Sequence, residues 1–462
     1  MFHKLDKRTQ GWFFPDGQLE DLAKLFDATS FEGVVEDEIK LRVGLQLKHS
    51  RSFDNNLIAV GVGVDESVQS LKQIFKSSGH SFNKSIDSKL ACLLANLYRR
   101  YLRSNTMWTG LNLHNGKAIP EIYNPSGVNP KSIKNLKAAL EKEGFIYFVP
   151  GFNAKNASNS RSPKAIADES LVQFLEQEFG WEPTFIRYHH QARTIEMKSA
   201  KNEKGKRTLV DVELPKHIIE QGKLLEEYNR FLYDQLIMVP SDEGDFPDLI
   251  HTRRIFNNND WQSGGRIFGG DFQQTSEALR EKITINGEPV IELDIRSCHA
   301  TMGFAHIGNN WYAHSNQDLY LRDELKAWDR SIIKIAFNIM LNAKDQQAAI
   351  SALNYRQANS FLLEDLGLSP FKGWAKHLVN DVTSSFPELS GIFYSGLGNT
   401  FMNKEGNICM VIIRNSLESG VPILTLHDSF ICPESYASKL DGLIKDAFQR
   451  EVGATCVVEW SR

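Results

Sequence analysis

SGVPILTLHDSFICPESYASKLDGLIKDAF, residues 419–448, is the stretch on which the fold turns. An apolar strand, VPILTL, runs into His427, Asp428 and Ser429, and a second short apolar strand, FIC, follows at once. From about Glu434 the apolar spacing becomes helical, which predicts burial of Tyr436, Leu440, Leu443, Ala447 and Phe448. Strand, acidic turn, strand and helix place Asp428 at the tip of a hairpin. Strands this apolar on both faces are core strands. An acid between two of them faces a cleft more often than open water.

Two stretches upstream extend the pattern. In GEPVIELDIRSCHATMGFAHIG (287–308) the apolar run VIELDI predicts a buried strand that delivers Asp294 at its end. A buried aspartate must be paired or bind a metal to stay ionised. In DELKAWDRSIIKIAFNIMLNAK (323–344) a helix is expected, with Ile332, Ile333, Ala336, Phe337 and Met340 able to bury. Arg330 and Lys334 are four apart and share one face, and Asn338 and Asn342 prolong that polar stripe. Two cations at that spacing beside a metal-bearing strand suit a triphosphate, although the helix alone reads as a surface helix with two ordinary basic residues.

In this order, the three stretches resemble motifs A, B and C of the family A DNA polymerases and the phage-type single-subunit RNA polymerases. Asp294 matches the metal-binding aspartate of motif A, Arg330 and Lys334 the arginine and lysine of motif B, and His427-Asp428 the tip of motif C. The forms HDSF and RSIIK look closest to the RNA polymerase branch. The resemblance covers roughly residues 250–462. It implies a template-directed nucleotidyltransferase, first of all a DNA polymerase, and the DNA-binding region read upstream of it suits a polymerase of a plasmid, phage or integrated element. A single-subunit RNA polymerase or primase is the first alternative, and a DNA-binding replication initiator with an inactive palm the second. The implied partners are DNA template and primer, with RNA possible, and nucleoside triphosphates. The implied cofactor is a pair of Mg2+ ions, with Mn2+ as a substitute, held by Asp294 and Asp428. Such ions sit about 4 Å apart and act on both the attacking and the leaving oxygen. Arg330 and Lys334 would then meet the β- and γ-phosphates, with Asn338, Asn342 and His299 lining the nucleotide site and His427 near the primer terminus.

Two positions depart from the family pattern. Asn342-Ala343 stands where both families carry tyrosine and glycine, eight residues after the lysine. His299, five after Asp294, stands where the DNA enzymes have glutamate and the RNA enzymes glycine. The preference between deoxy- and ribonucleotides is therefore open at this point.

Outward from this core, RRIFNNNDWQSGGRIFGGDF (253–272) gathers Arg253, Arg254 and Arg266 among glycines, as a phosphate-binding loop for nucleic acid would. It lacks a GK[ST] ending, so a nucleotide P-loop is not expected. FMNKEGNICMVIIRNSLESG (401–420) is similar to the helix that enters the cleft before motif C in these families. Further upstream, Ile86, Leu90, Leu93, Leu94 and Leu97 mark a helix, Asn129 and Pro130 open another with Ile133, Leu136 and Leu140 inside, and Gly144 stops it. The strand FIYFV (145–149) and a polar stretch to residue 166 follow. That order is the pattern of a winged helix, with Lys131, Lys134 and Lys137 on the exposed side to meet phosphates. A solvated lysine face on an ordinary amphipathic helix is the bland alternative. KSAKNEKGKR (198–207) reads as a basic hairpin tip, and 215–240 as a long helix.

The expected fold is thus α+β: a right-hand polymerase palm, an antiparallel sheet with helices, preceded by a mostly helical region containing a winged helix-turn-helix. The expected divisions are 1–80, of unassigned role; 81–168, winged-helix-like; 169–250, helical and thumb-like; and 251–462, palm and fingers. Bulk properties agree with this. The 462 residues are 41% hydrophobic and 24% charged, with net charge −4, so a basic nucleic-acid surface has to be local. The five cysteines, Cys92, Cys298, Cys409, Cys432 and Cys456, are scattered without a CxxC pair, which argues against a zinc ribbon or a disulfide framework. No signal-peptide pattern or membrane-length apolar run is read, so a cytoplasmic location is expected.

Overall fold

The structure, a computed structural model, describes residues 47, 49–113, 119–151, 161–203, 205–241, 244–309, 318–360 and 362–461. The chain is mixed α+β and divides into two compact units, residues 1–192 with 241–246 and residues 193–240 with 247–462. No helix among the described residues is long and apolar enough to cross a membrane.

In the first unit the elements run β1 (Ser50–Ser52), α1 (Val64–Ser77), α2 (Asp87–Arg103), β2 (Trp108–Gly110), α3 (Pro130–Lys142), β3 (Ile146–Val149) and β4 (Lys164–Ala167). These four strands form one sheet in the order β1-β2-β4-β3, antiparallel except for the β1–β2 pair, and Leu57–Ala59 pairs with Ile186–Tyr188 in a separate two-stranded sheet. Helix α2 buries Leu90, Leu93, Leu94 and Leu97, the face expected from its spacing. Helix α3 starts where Asn129 and Pro130 said it would. The Asn129 side chain accepts from the Ser132 N–H, and the Ser132 hydroxyl accepts from the Asn129 N–H, a reciprocal cap. Several short strands were hidden in the sequence, β4 among them. Residues 164–167 read as the end of a polar loop, yet Ala165, Ile166 and Ala167 are buried in β4, because four short residues after Pro163 give too little pattern to recognise. The middle of that loop, 152–160, lies outside the described residues.

The second unit is built on β9 (Glu288–Ile295), preceded by β5 (Ile195–Met197), α4 (Lys216–Tyr233), β6 (Arg253–Asn257), β7 (Asp260–Phe268) and β8 (Thr284–Ile285). After β9 come α5 (Cys298–His306), α6 (Arg330–Asn342), α7 (Leu397–Ser419), β10 (Leu424–Leu426), β11 (Ser429–Pro433), α8 (Ala437–Val452) and β12 (Val458–Ser461). Strand β9 pairs antiparallel with β11 along one edge and with β8 and β12 along the other, while β10 closes the hairpin onto β11. The expected hairpin over 423–433 is present, and α8 follows after a short turn at Glu434–Tyr436. On α8 it is Ile444, rather than Leu443, that is fully buried beside Leu440, Ala447 and Phe448.

The arginine- and glycine-rich stretch 253–272 is mostly a β-hairpin, not an open phosphate loop. Strands β6 and β7 pair antiparallel, and Asn258 and Asn259, both at positive φ, make the two-residue turn. Strand β5 adds to β6 in parallel. The segment 198–209 is a small hairpin closed by Ser199 N–H to Thr208 O and Asn202 N–H to Lys206 O.

Helix α7 lies across β7 at contact distance of the two backbones. A Cβ built on Gly406 would stand 1.9 Å from the Gly265 carbonyl oxygen. Gly406→Ala is therefore expected to destabilise the protein by about 3 kcal/mol or more. Gly442→Ala, on the exposed side of α8 with nothing within 4 Å of the added methyl, should instead stabilise by up to about 1 kcal/mol. Thermal melts of the two variants check both signs.

Candidate active site

Asp294 is the penultimate residue of β9, and its register partner across the sheet is Ser429. Asp428 immediately precedes Ser429, and its carbonyl accepts from the Ile295 N–H at 3.0 Å. The paired strands thus bring the two residues together, close enough for the Asp428 charge to act on Asp294. The turn between β10 and β11 is tight: His427 has φ +60, in the left-handed region that costs a side-chain residue energy. Helix α7 steadies it, since the Cys409 thiol donates to the His427 carbonyl at 3.1 Å.

Both acids are half-buried, and both titrate above the ordinary carboxylate range. Burial is the main cause for Asp294, followed by the Asp428 charge, and together they push it up to about 8. Asp428 is raised by burial and then by Glu405. Lys334, exposed on α6, opposes the shift at both acids. Among the described residues Lys334 has no ion pair of its own.

The third acid, Glu405 on α7, was not singled out in the sequence. It is 2% exposed and held by Arg266 at 2.5 and 3.0 Å and by His299 Nε2 at 2.9 Å. Burial alone would raise its pKa, but His299 and Arg266 bring it down to about 2. A signal was there: Phe401, Glu405, Ile408, Cys409 and Ile412 share the buried face of one helix. A lone acid on such a face has to be paired. The Cys298 thiol completes the neighbourhood, since one ligand atom each of Cys298, Glu405 and Asp428 lie within 4.8 Å of one another. Burial holds that thiol well above its usual range, so it stays protonated.

The other residues expected at the site divide by what they already touch. Arg330 opens α6 behind the Asp329 cap and pairs with Asp318. His299 Nδ1 donates to Asn338 Oδ1 at 3.1 Å, so Asn338 is engaged inside the protein. Asn342 is exposed, but its amide folds back on the Asn338 carbonyl and its side chain packs against Gly398. His427 is drawn down to about 4, by burial first and then by Arg266, so its imidazole is neutral at pH 7. Its Nδ1 has no partner among the described residues, and its ring meets the edge of Phe268.

The arginines of the 253–272 hairpin are less free than their sequence suggests. Arg254 is 1% exposed and bonds the Gly265 and Asn403 carbonyls, Gln221 and Asn407. That is a structural role, not a phosphate contact. Arg253 pairs with Glu196, and Arg266 faces inward to Glu405. On α3 of the first unit, Lys131 and Lys134 are exposed. Lys137 differs: its ammonium lies 3.9 Å from the centre of the Phe148 ring and 2.6 Å from Glu141.

These charges make a prediction. The folded protein holds protons on Asp294 and Asp428 that the unfolded chain releases, so the metal-free protein loses stability as pH rises from the ordinary carboxylate value through about 8. Asp294→Asn and Asp428→Asn should each stabilise it at pH 8, by at least about 1 kcal/mol, with the gain vanishing near pH 4. Glu405→Gln should do the reverse and destabilise by about 3 kcal/mol or more, because it leaves Arg266 and His299 unbalanced. Melting curves in chelator across pH 4–8.5 test all three.

No protein-family profile matches the chain, and no curated protein matches it. Among solved structures it is similar to the POL domain of Pol1 from M. smegmatis, solved in complex with DNA primer-template and dNTP. The match is 12% identical, covers 99% of this chain and 80% of that one, and has a TM-score of 0.28. A likeness that loose carries no argument about function, which rests on the residues themselves.

Proposed function

We propose that the second unit is a polymerase palm that catalyses template-directed nucleotidyl transfer. The observation that carries this reading is the juxtaposition of Asp294 and Asp428 on paired strands, with Lys334 acting on both. Each carboxylate is held above its ordinary pKa by burial and by a neighbouring negative charge, a state that a divalent cation relieves. Their hard oxygen donors fit Mg2+ or Mn2+. The protonated Cys298 thiol is a poor ligand for such ions, and Glu405 is already engaged by Arg266 and His299. Asp294 and Asp428 would hold the ions, which when bound neutralise the phosphoryl group in transfer and favour the ionised 3′-hydroxyl.

The chain's own residues supply the rest. Lys334 offers an unpaired ammonium to the triphosphate, and Arg330, at the helix N-terminus, a guanidinium fork. The neutral His427 ring has a free nitrogen for the primer terminus. Arg266, Glu405, His299 and Asn338 form a rigid, internally balanced wall beside the carboxylates, which preorganises them. In the first unit, the sequence α2-β2-α3-β3-β4, with sheet order β2-β4-β3, supports a winged helix that meets DNA phosphates through Lys131 and Lys134. Lys137 is left out, because Phe148 and Glu141 occupy it.

Primer extension tests the reading. A primed DNA template, Mg2+ and either dNTPs or NTPs should give template-dependent product, and the preferred set identifies the product sugar. Asp294→Asn and Asp428→Asn should each lower the rate by at least about 10²-fold, the scale for removing a preorganised charged group. Millimolar Mg2+ should raise the melting temperature of the wild type and not of Asp428→Asn. Absence of product with both nucleotide sets, primed or unprimed, while DNA binding persists, would leave a DNA-binding initiator with an inactive palm.

A further inference from the structure

Arg330 already holds an anion. Its Nε lies 2.5 Å from Asp318 Oδ2, while the other oxygen of the same carboxylate, Oδ1, accepts from the Tyr320 N–H at 2.9 Å and faces the Ser297 hydroxyl at 3.5 Å. Ser297 is at φ +51 in the turn that joins β9, with Asp294, to α5, with His299. Asp318 therefore ties the turn after one metal-site strand to the first residue of α6. The Arg330 guanidinium also lies 5.6 Å from the centre of the Tyr320 ring. Only Nε is engaged by the carboxylate, and the Arg330 side chain remains 39% exposed.

We propose that Asp318 is an internal counter-anion that occupies Arg330 until a polyphosphate displaces it, and so sets how tightly the site holds a triphosphate. The inference rests on the nucleotidyltransferase reading. It differs from an ordinary scaffold role in its sign. If Asp318 served only to aim Arg330 at the substrate, removing its charge would weaken binding. If it competes with the substrate for Arg330, removing its charge strengthens binding. The two oxygens make the separation possible. Asp318→Asn can keep Oδ1 on the Tyr320 N–H, and so preserve the turn, while placing an amide where the competing oxygen stood.

The size of the effect follows from exposure. An ion pair with one partner more than a third exposed is screened, and at the strength of such pairs its release corresponds to about a two- to fivefold gain in affinity. A much larger gain would require a buried pair.

The experiment is calorimetric titration of the full chain with inorganic tripolyphosphate and, separately, with a dNTP and an NTP, at fixed Mg2+ and ionic strength. Asp318→Asn should bind tripolyphosphate about two- to fivefold more tightly than the wild type. Arg330→Met should bind more weakly than the wild type, and adding Asp318→Asn to Arg330→Met should change nothing further. Asp318→Ser is the second route to removing the anion should the asparagine variant fail to fold. Unchanged or weaker binding in Asp318→Asn, with an unaltered melting temperature, overturns the proposal. So does a gain that persists in the Arg330→Met background, since it would reflect only the loss of a negative charge. If the wild type binds neither tripolyphosphate nor either nucleotide, the nucleotidyltransferase reading fails first and this inference with it. If the wild type binds and Asp318→Asn does not tighten, this inference alone fails.

Discussion

The second unit depends on how closely helix α7 approaches strand β7. At Gly406 and Gly265 the two backbones meet with no room for a side chain on the helix. Such an approach takes backbone carbonyls away from water, and buried carbonyls need donors. Arg254 provides them, bonding the Gly265 and Asn403 oxygens from a fully buried position. Burial draws its pKa down only to about 10, so it remains a cation at neutral pH. The same approach sets Glu405, the residue before Gly406, against Arg266 of β7. One turn further along α7, Cys409 reaches the His427 carbonyl. A single backbone contact thus fixes the inward arginine, the buried glutamate and the acidic turn together.

Around that contact the charges are arranged unevenly. Glu405 is matched by Arg266 and His299 and sits well below the ordinary carboxylate range. Asp294 and Asp428 sit above it, because the cations that act on them, Lys334 on both and His299 and Arg266 on Asp428, do not offset burial and the neighbouring acids. Burial raises all three, and what separates Glu405 is a pair of direct partners, Arg266 and His299, that overcome it. Paired acids in a protein interior belong to the scaffold, whereas acids left in mutual repulsion mark the place where something positive is expected. The single mobile cation that acts on both, Lys334, is too exposed to balance them alone.

Much of this was legible in the sequence, for identifiable reasons. The hairpin at Asp428 and the strand ending in Asp294 announce themselves as apolar runs interrupted by one acid, and α6 by its 3.6-residue spacing. The start of α3 follows from local chemistry alone, because a cap involves residues three apart. What the sequence concealed depends on distant partners. Arg254 and Arg266 lie in one short glycine-rich stretch, but only the position of α7, some 140 residues later, makes them internal. Asp318 carries no local mark, because its meaning comes from Ser297 behind it and Arg330 ahead. Glu405 lies between these cases. Its helical face declares it buried, but not what balances it.

Strand β9 has a consequence for how the chain reaches this state. Its two neighbours along the Asp294 half arrive late: Ser429 bonds Glu292 across 137 positions, and Ser461 bonds it across 169. At ordinary rates of synthesis those partners emerge roughly 10–30 s after β9 itself. In that interval the Asp294 half of the strand, beyond its short pairing with β8, stands with both edges unpaired, the condition under which strands join the wrong partner. Ile291, Leu293 and Ile295 on one face would favour such errors, but Glu292 and Asp294 alternate with them on the opposite face. Two strands of this kind laid edge to edge would stack like charges. Glu292 and Asp294 therefore oppose such edge-to-edge pairing while the chain is still being made.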